Sequence, residues 1–174
     1  MKVFNIKQLI IAFLMVFMSV NSYSQITKAE IIAIGLTCSM CSNAINKQFK
    51  SMAGVESVST DLNTNTFTVN LKKNSSLSPN ALKESVEKTG FFIGSMVLTV
   101  DLGSIETKDN LNVKKGNGTY VFVNPADKFI NGLVKVKVLN EGFVTKKEYK
   151  KSEKSLVKYL SFSSPDNTYL IKVI

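Results

Sequence analysis

The chain has two cysteines, Cys38 and Cys41, in the run Gly35-Leu36-Thr37-Cys38-Ser39-Met40-Cys41. Two thiols at that spacing can ligate a soft ion, cycle between dithiol and disulfide, or form an inert crosslink. A disulfide closing so small a loop restrains little of the unfolded chain, so stability alone gives little reason for one. As ligands, the pair falls short of the four N or S donors that structural zinc takes. It suffices for a d10 ion content with two sulfurs, above all Cu(I), which soft ligands select. Met40, between the two, is either a weak third sulfur or a solvent-facing side chain.

Composition removes competing chemistries. None of the 174 residues is His, Arg or Trp, and all 22 basic residues are Lys. Without His there is no Ser-His-Asp or Cys-His nucleophile system and no imidazole proton shuttle. Most familiar enzyme constellations are therefore excluded, and a metal-holding protein that is not an enzyme is the reading the cysteines leave. Without Arg there is no bidentate fork for phosphate or guanine edges, which argues against nucleic acid as a partner.

The N-terminus sets a compartment. Met1, Lys2 and Lys7 precede an unbroken apolar run from Leu9 to Met18, followed by Ser22, Tyr23, Ser24 and Gln25. A basic start, a short apolar stretch and small residues before a junction make residues 1–24 a secretory signal peptide, cleaved after Ser24, and the mature protein periplasmic or secreted. A ten-residue helix covers only about 15 Å, so this run is too short to hold the mature protein in a bilayer of roughly 30 Å. Removing it takes away Lys2 and Lys7 and leaves 20 lysines against 13 acids, a formal charge of +7.

Periodicity then supplies the elements that must position the thiols. Glu30 to Gly35 reads as a buried strand ending at glycine. Cys41, Ala44, Ile45, Phe49 and Met52 recur at helical spacing, with Gly54 as the stop. Residues 55–72 read as a hairpin, turning at Asn63-Thr64-Asn65 and closing on the alternation of Phe67, Val69 and Leu71. Ser78 followed by Pro79 opens a second helix with Leu82 and Val86 inward and Gly90 as its end. Phe92 to Val100 is a last strand. The order strand, helix, strand, strand, helix, strand predicts an α+β, ferredoxin-like βαββαβ sandwich over residues 25–100, with Cys38 in the loop after the first strand and Cys41 in the first turn of the first helix. Its expected core is Ile34, Ile45, Phe49, Val58, Val69, Leu82 and Val86. A thioredoxin-like redox couple would follow a strand in the same way, but a hairpin directly after the helix is not that core's parallel crossover.

Residues 101–118 are polar and turn-rich and read as a linker or long loop. Residues 119–174 read as a small β-rich C-terminal region with one helix: strands at 120–123, 133–139 and 169–174, and a helix opened by a Thr145/Glu148 capping box, with Tyr149, Leu156 and Leu160 as its apolar stripe. This tail has no soft ligand and is at the size where one core is barely self-sufficient, so it is expected to lean on the first domain or on a partner. Its helix carries six lysines against two glutamates between Lys146 and Lys158, a face that could steer an acidic partner. A cut after Val100 is accordingly expected to leave metal affinity unchanged and to slow transfer.

The segment from Ile26 to about Val97 resembles heavy-metal-associated domains, the module of copper chaperones, of the N-terminal tails of copper-transporting P-type ATPases and of the periplasmic mercury-binding protein. The resemblance rests on Gly-Leu-Thr-Cys-Ser-Met-Cys at 35–41, Ala44-Ile45, Gly54-Val55-Glu56-Ser57-Val58, Leu82 and Val86, and Lys88-Thr89-Gly90-Phe91. It implies that Cys38 and Cys41 are metal ligands, with Cu(I) as the first candidate ion and Hg(II), Zn(II) or Cd(II) as alternatives. It also implies transfer by thiolate exchange to a copper-transporting ATPase or another periplasmic copper protein. A periplasmic thiol-disulfide oxidoreductase is the remaining alternative. Leu36 stands where the family has Met, and Phe91 where chaperones have Lys or Tyr; a neutral ring there would shield the ion from water without offsetting its charge.

Overall fold

A computed structural model describes residues 26–160 and 167–174; the expected leader at 1–24 and the side chain of Leu160 lie outside the described residues. In chain order the elements are β1 (Ile26–Ile34), α1 (Ser39–Lys50), β2 (Val55–Asp61), β3 (Thr66–Leu71), α2 (Pro79–Glu87), β4 (Phe92–Glu106), β5 (Asn112–Lys115), β6 (Gly118–Phe122), β7 (Phe129–Val138), α3 (Lys146–Leu160) and β8 (Thr168–Val173). The fold class is as expected, α+β with a ferredoxin-like first half and a strand-rich second half bearing one helix. Among the described residues no helix is long and apolar enough to cross a membrane.

All eight strands form one sheet in the order β2-β3-β1-β4-β7-β8-β6-β5. The β6–β8 pair is parallel and every other neighbouring pair is antiparallel. The hinge of this arrangement is β4. It pairs along one edge with β1, from Ile34↔Phe92 to Ile26↔Val100, and along the other with β7, from Val97↔Lys137 to Glu106↔Phe129.

Alternation along the strands separates two apolar layers. Ile31 of β1, Phe67 and Val69 of β3 and Leu98 of β4 pack with Ile45 and Phe49 of α1 and Leu82 and Val86 of α2. The same layer continues without a break through Tyr120, Phe122, Val138, Phe143, Tyr169 and Ile171 of the C-terminal half. The alternate residues Val121, Val123 and Leu170 face the other way and are covered by Leu156 and Tyr159 of α3. Helices α1 and α2 therefore lie on one side of the sheet and α3 on the other.

Side chains also tie the halves together. The Tyr169 hydroxyl accepts from Asn80 N at the start of α2 (3.4 Å), and Phe143 meets the Tyr169 ring edge-on at 5.9 Å. Asp109 fixes α3 to the strands: its carboxylate accepts from Tyr159 Oη at 2.5 Å, from Asn124 N at 2.9 Å and from Lys158 Nζ at 3.1 Å. The Tyr159 bond first, then that from Asn124, hold its pKa down at about 2.

Local capping follows the sequence where the chemistry is strong. Ser78 Oγ accepts from Ala81 N at 3.1 Å with Pro79 in the first turn of α2, Gly90 sits at φ +86°, and Thr145 Oγ1 accepts from Glu148 N at 3.2 Å. Four expectations need correction. Helix α1 ends at Lys50 with Ser51 as its C-cap, before Gly54. Glycine is needed at 54 for space, since a Cβ there would collide with the side chains of Ser75 and Leu77. The buried stripe of α1 is Ser42, Ile45 and Phe49, with Ala44 exposed, so Cys41 lies on the flank of the helix. Ile34, expected in the core, is 39% exposed because it faces away from the helices, and Val58 is only half-buried.

The fourth correction concerns residues 101–118. Far from being a loop, they contain the last six residues of β4 and the whole of β5. Here the strand period is broken by a register shift between Asp101 and Ser104, where Gly103 takes φ +68° and donates its N–H to Asp101 Oδ1. That irregularity disguises a strand whose Leu102 is fully buried. Only the turns read correctly, with Asn110 at φ +63° and Gly116 at φ +54°.

A cut after Val100 would thus remove Leu102, the outer partner strand of β4 and about a third of the main apolar layer. With each fully buried side chain contributing roughly 1.5–3 kcal/mol, the shortened chain is expected to lose about 5 kcal/mol or more. Urea unfolding with dye binding to exposed apolar surface checks this; a truncated chain as stable as the whole would contradict it.

Candidate metal centre

The two cysteines sit where the chain leaves the sheet and enters α1. Gly35 makes the exit: its φ of +90° is a conformation side chains rarely adopt, and a Cβ there would lie 3.7 Å from Phe91 Cδ1. Leu36 then turns back against the core, as its place in the sequence suggested. Cys38 is the extended N-cap residue of α1 (φ −155°, ψ 162°), and its side chain makes no capping bond. Its carbonyl accepts from Cys41 N at 3.1 Å, closing the turn that carries both thiols.

The structure brings the two predicted residues together. Cys38 Sγ and Cys41 Sγ are 3.0 Å apart, both thiols are free, Cys38 is exposed and Cys41 half-exposed. The Cys41 thiol titrates below the ordinary cysteine range, chiefly because Cys38 hydrogen-bonds to it and then because of the backbone at Thr37. The setting agrees with this direction: unpaired N–H groups at the helix start favour an anion, and no acidic residue occupies the first turn of α1 to oppose it. The lysines of α1's last turn, Lys47 and Lys50, lie at the other end of the helix.

Beside Cys38 is a shallow depression of about 270 Å³ that also involves Leu62 and Asn65. These two come from the β2–β3 turn, where Asn65 takes φ +52° and its carbonyl accepts from Ala33 N at 3.1 Å. The Asn63-Thr64-Asn65 cluster marks a turn in sequence. Its position beside the thiols is a consequence of β1 pairing with β3, which no local pattern reveals. Phe91 is half-buried beside Gly35, so it supports the start of the loop. Met40 is 80% exposed. Among the described residues no group of three or more His, Cys, Asp or Glu is placed to hold a metal ion.

A separation of 3.0 Å is intermediate between two chemical outcomes. A disulfide needs the sulfurs at about 2.05 Å. An ion bonded linearly to both, with metal–sulfur bonds of about 2.3 Å, needs them roughly 4.6 Å apart. Rotation of exposed side chains reaches either without disturbing the buried stripe of α1. The site is thus a movable pair of soft donors on a fixed base.

Residues 30–92 match the family model of the heavy-metal-associated domain. This segment is a heavy-metal-associated domain. The match takes in the cysteine loop and both helices of the first half. Among solved structures, the chain is similar to a yeast copper transporter domain determined in apo and Cu(I)-loaded states, at 31% identity over 37% of this chain and 88% of that one, with a TM-score of 0.35. It is also similar to the N-terminal domain of a potential copper-translocating P-type ATPase from Bacillus subtilis, at 33% identity over 38% of this chain and 81% of that one, TM-score 0.35. A third similarity is to a CopZ metallochaperone, at 18% identity over 38% and 98%, TM-score 0.36. No curated protein matches the chain.

The heavy-metal-associated segment carries a titration that can be followed directly. Because its pKa is lowered on folding, the Cys41 thiolate is favoured by the fold at pH above the ordinary cysteine value, and that preference is lost as pH falls through the folded value. The pH profile of Cys41 alkylation is expected to rise at lower pH than that of a model thiol, and Cys38→Ala should move it upward. An unchanged profile in that variant would show that Cys38 is not the cause.

Proposed function

We propose that this protein is an exported metal carrier that holds Cu(I) between Cys38 and Cys41 and passes it on by thiolate exchange, catalysing no reaction of its own. The observation that carries the reading is the pair of thiols 3.0 Å apart at the start of α1, with no further ligand cluster among the described residues. Two sulfurs without nitrogen or further oxygen donors suit a soft ion that accepts low coordination and leave zinc under-ligated. The heavy-metal-associated domain at residues 30–92 supports metal as the cargo. Cd(II) and Hg(II) are soft enough to compete for the same pair.

Transfer follows from exposure. An incoming thiolate from a partner reaches the ion held at the rim, forms a third metal–sulfur bond, and one of the chain's own thiolates leaves and takes up a proton. A second exchange completes the transfer, with the copper remaining Cu(I) and no electron moving. A copper-transporting ATPase or another exported copper protein is the receiver that this chemistry suits. The leader read at residues 1–24 supports an event outside the cytoplasm; there the empty pair closes to a disulfide by losing two protons and two electrons to the oxidising compartment.

The deciding experiment is metal-to-protein stoichiometry and competition affinity on the reduced mature chain. One tight Cu(I) with weak Zn(II) is expected; insulin reduction without metal preference would favour an oxidoreductase instead. Cys38→Ser and Cys41→Ser should each lower Cu(I) affinity by about a hundredfold or more, since loss of even an outer-shell partner costs 10–100-fold. Circular dichroism should be unchanged, because neither thiol is buried. Tight Cu(I) binding by the double serine variant would refute the site.

A further inference from the structure

Beside the metal loop the C-terminal half builds a groove that the first half alone would not have. Its volume is about 440 Å³. One wall is the cross-strand pair Ile34 and Phe92, 39% and 63% exposed; the other is Val144 with Tyr149 of α3. An exposed aromatic set against an exposed β-branched neighbour is unfavourable in water unless something covers it.

The rim has a particular electrostatic pattern. Glu141 and Lys146 both line the groove, yet neither forms an ion pair with the other or with any other described residue. The third charged group there, Glu87, is already held by Lys83 at 3.3 Å. Among the described residues the groove therefore offers one acid and one base outside any ion pair, and a projecting ring beside an apolar hollow. That pattern complements itself under a two-fold rotation. Glu141 of one copy can meet Lys146 of the other, twice over, while each Phe92 enters the opposite hollow.

We propose that this groove is the contact face between two copies of the chain. A partner bearing only acid or only base would leave one rim charge unmatched, which is why a second copy fits best. Ile34 immediately precedes the Gly35–Cys41 loop, so the contact lies next to the thiols without using them, and the proposal does not depend on the metal.

Sedimentation velocity of the reduced mature chain tests it. The average mass is expected to rise from monomer toward dimer over about a hundredfold increase in concentration, in the range of weak, specific association. Phe92→Lys should raise the dissociation constant about tenfold or more. Glu141→Lys and Lys146→Glu should each weaken association severalfold, whereas the double variant, or an equimolar mixture of the two single variants, should recover it. Cys38→Ser should leave it unaltered. A monomer at every concentration, or association indifferent to Phe92→Lys and to the charge reversals, would overturn the proposal.

Discussion

The strand β4 is hydrogen-bonded on both edges, and the architecture depends on that constraint. Its 15 residues close the ferredoxin-like half against β1 and found the C-terminal half against β7. Between Val97 and Val100 it is paired on both sides, and its inward side chains, Met96, Leu98, Val100 and Leu102, are buried. The register of β1 follows from it, and β1 ends where the cysteine loop begins. The position of the thiols is thus inherited from the sheet.

What the site itself requires is a division between rigid and movable parts. Ile45 and Phe49 are wholly buried and fix the axis of α1, while Cys38 caps the helix from outside and Cys41 occupies its flank. Gly35 permits the exit from β1 and Phe91 backs it. The thiols can open around an ion or close on each other with little cost to the core, and the helix terminus supplies dipoles that favour thiolate without an adjacent lysine.

Much of this was legible in the residues because the determinants are local. Ser78-Pro79, Gly90 and Thr145 act within one turn and stand where they were read, although only half of the capping box forms, since the Glu148 carboxylate accepts from Lys137 Nζ at 2.6 Å. The strand read at 133–139 likewise matches the second half of β7, which begins at Phe129. The cysteine spacing and the resemblance at residues 35–41 pointed to one loop, and the two sulfurs are indeed adjacent. The misreadings arise where partners are distant in sequence. Ile34 looks like core but belongs to the face that α1 and α2 do not cover. Residues 101–106 look like loop because a register shift at Gly103 hides their period, and only pairing with Phe129 through Leu133 makes them a strand. The C-terminal region, expected to lean on the first domain or on a partner, does the former by sharing its sheet and main apolar layer.

The account rests centrally on two thiolates being the complete ligand set. X-ray absorption at the copper edge of the Cu(I)-loaded, reduced chain measures that directly. Two sulfur neighbours, no nitrogen or oxygen, and the edge feature of a two-coordinate Cu(I) are the predicted result. A coordination number of four, or a shell containing nitrogen or oxygen, would mean that ligands beyond Cys38 and Cys41 complete the site and would contradict the account.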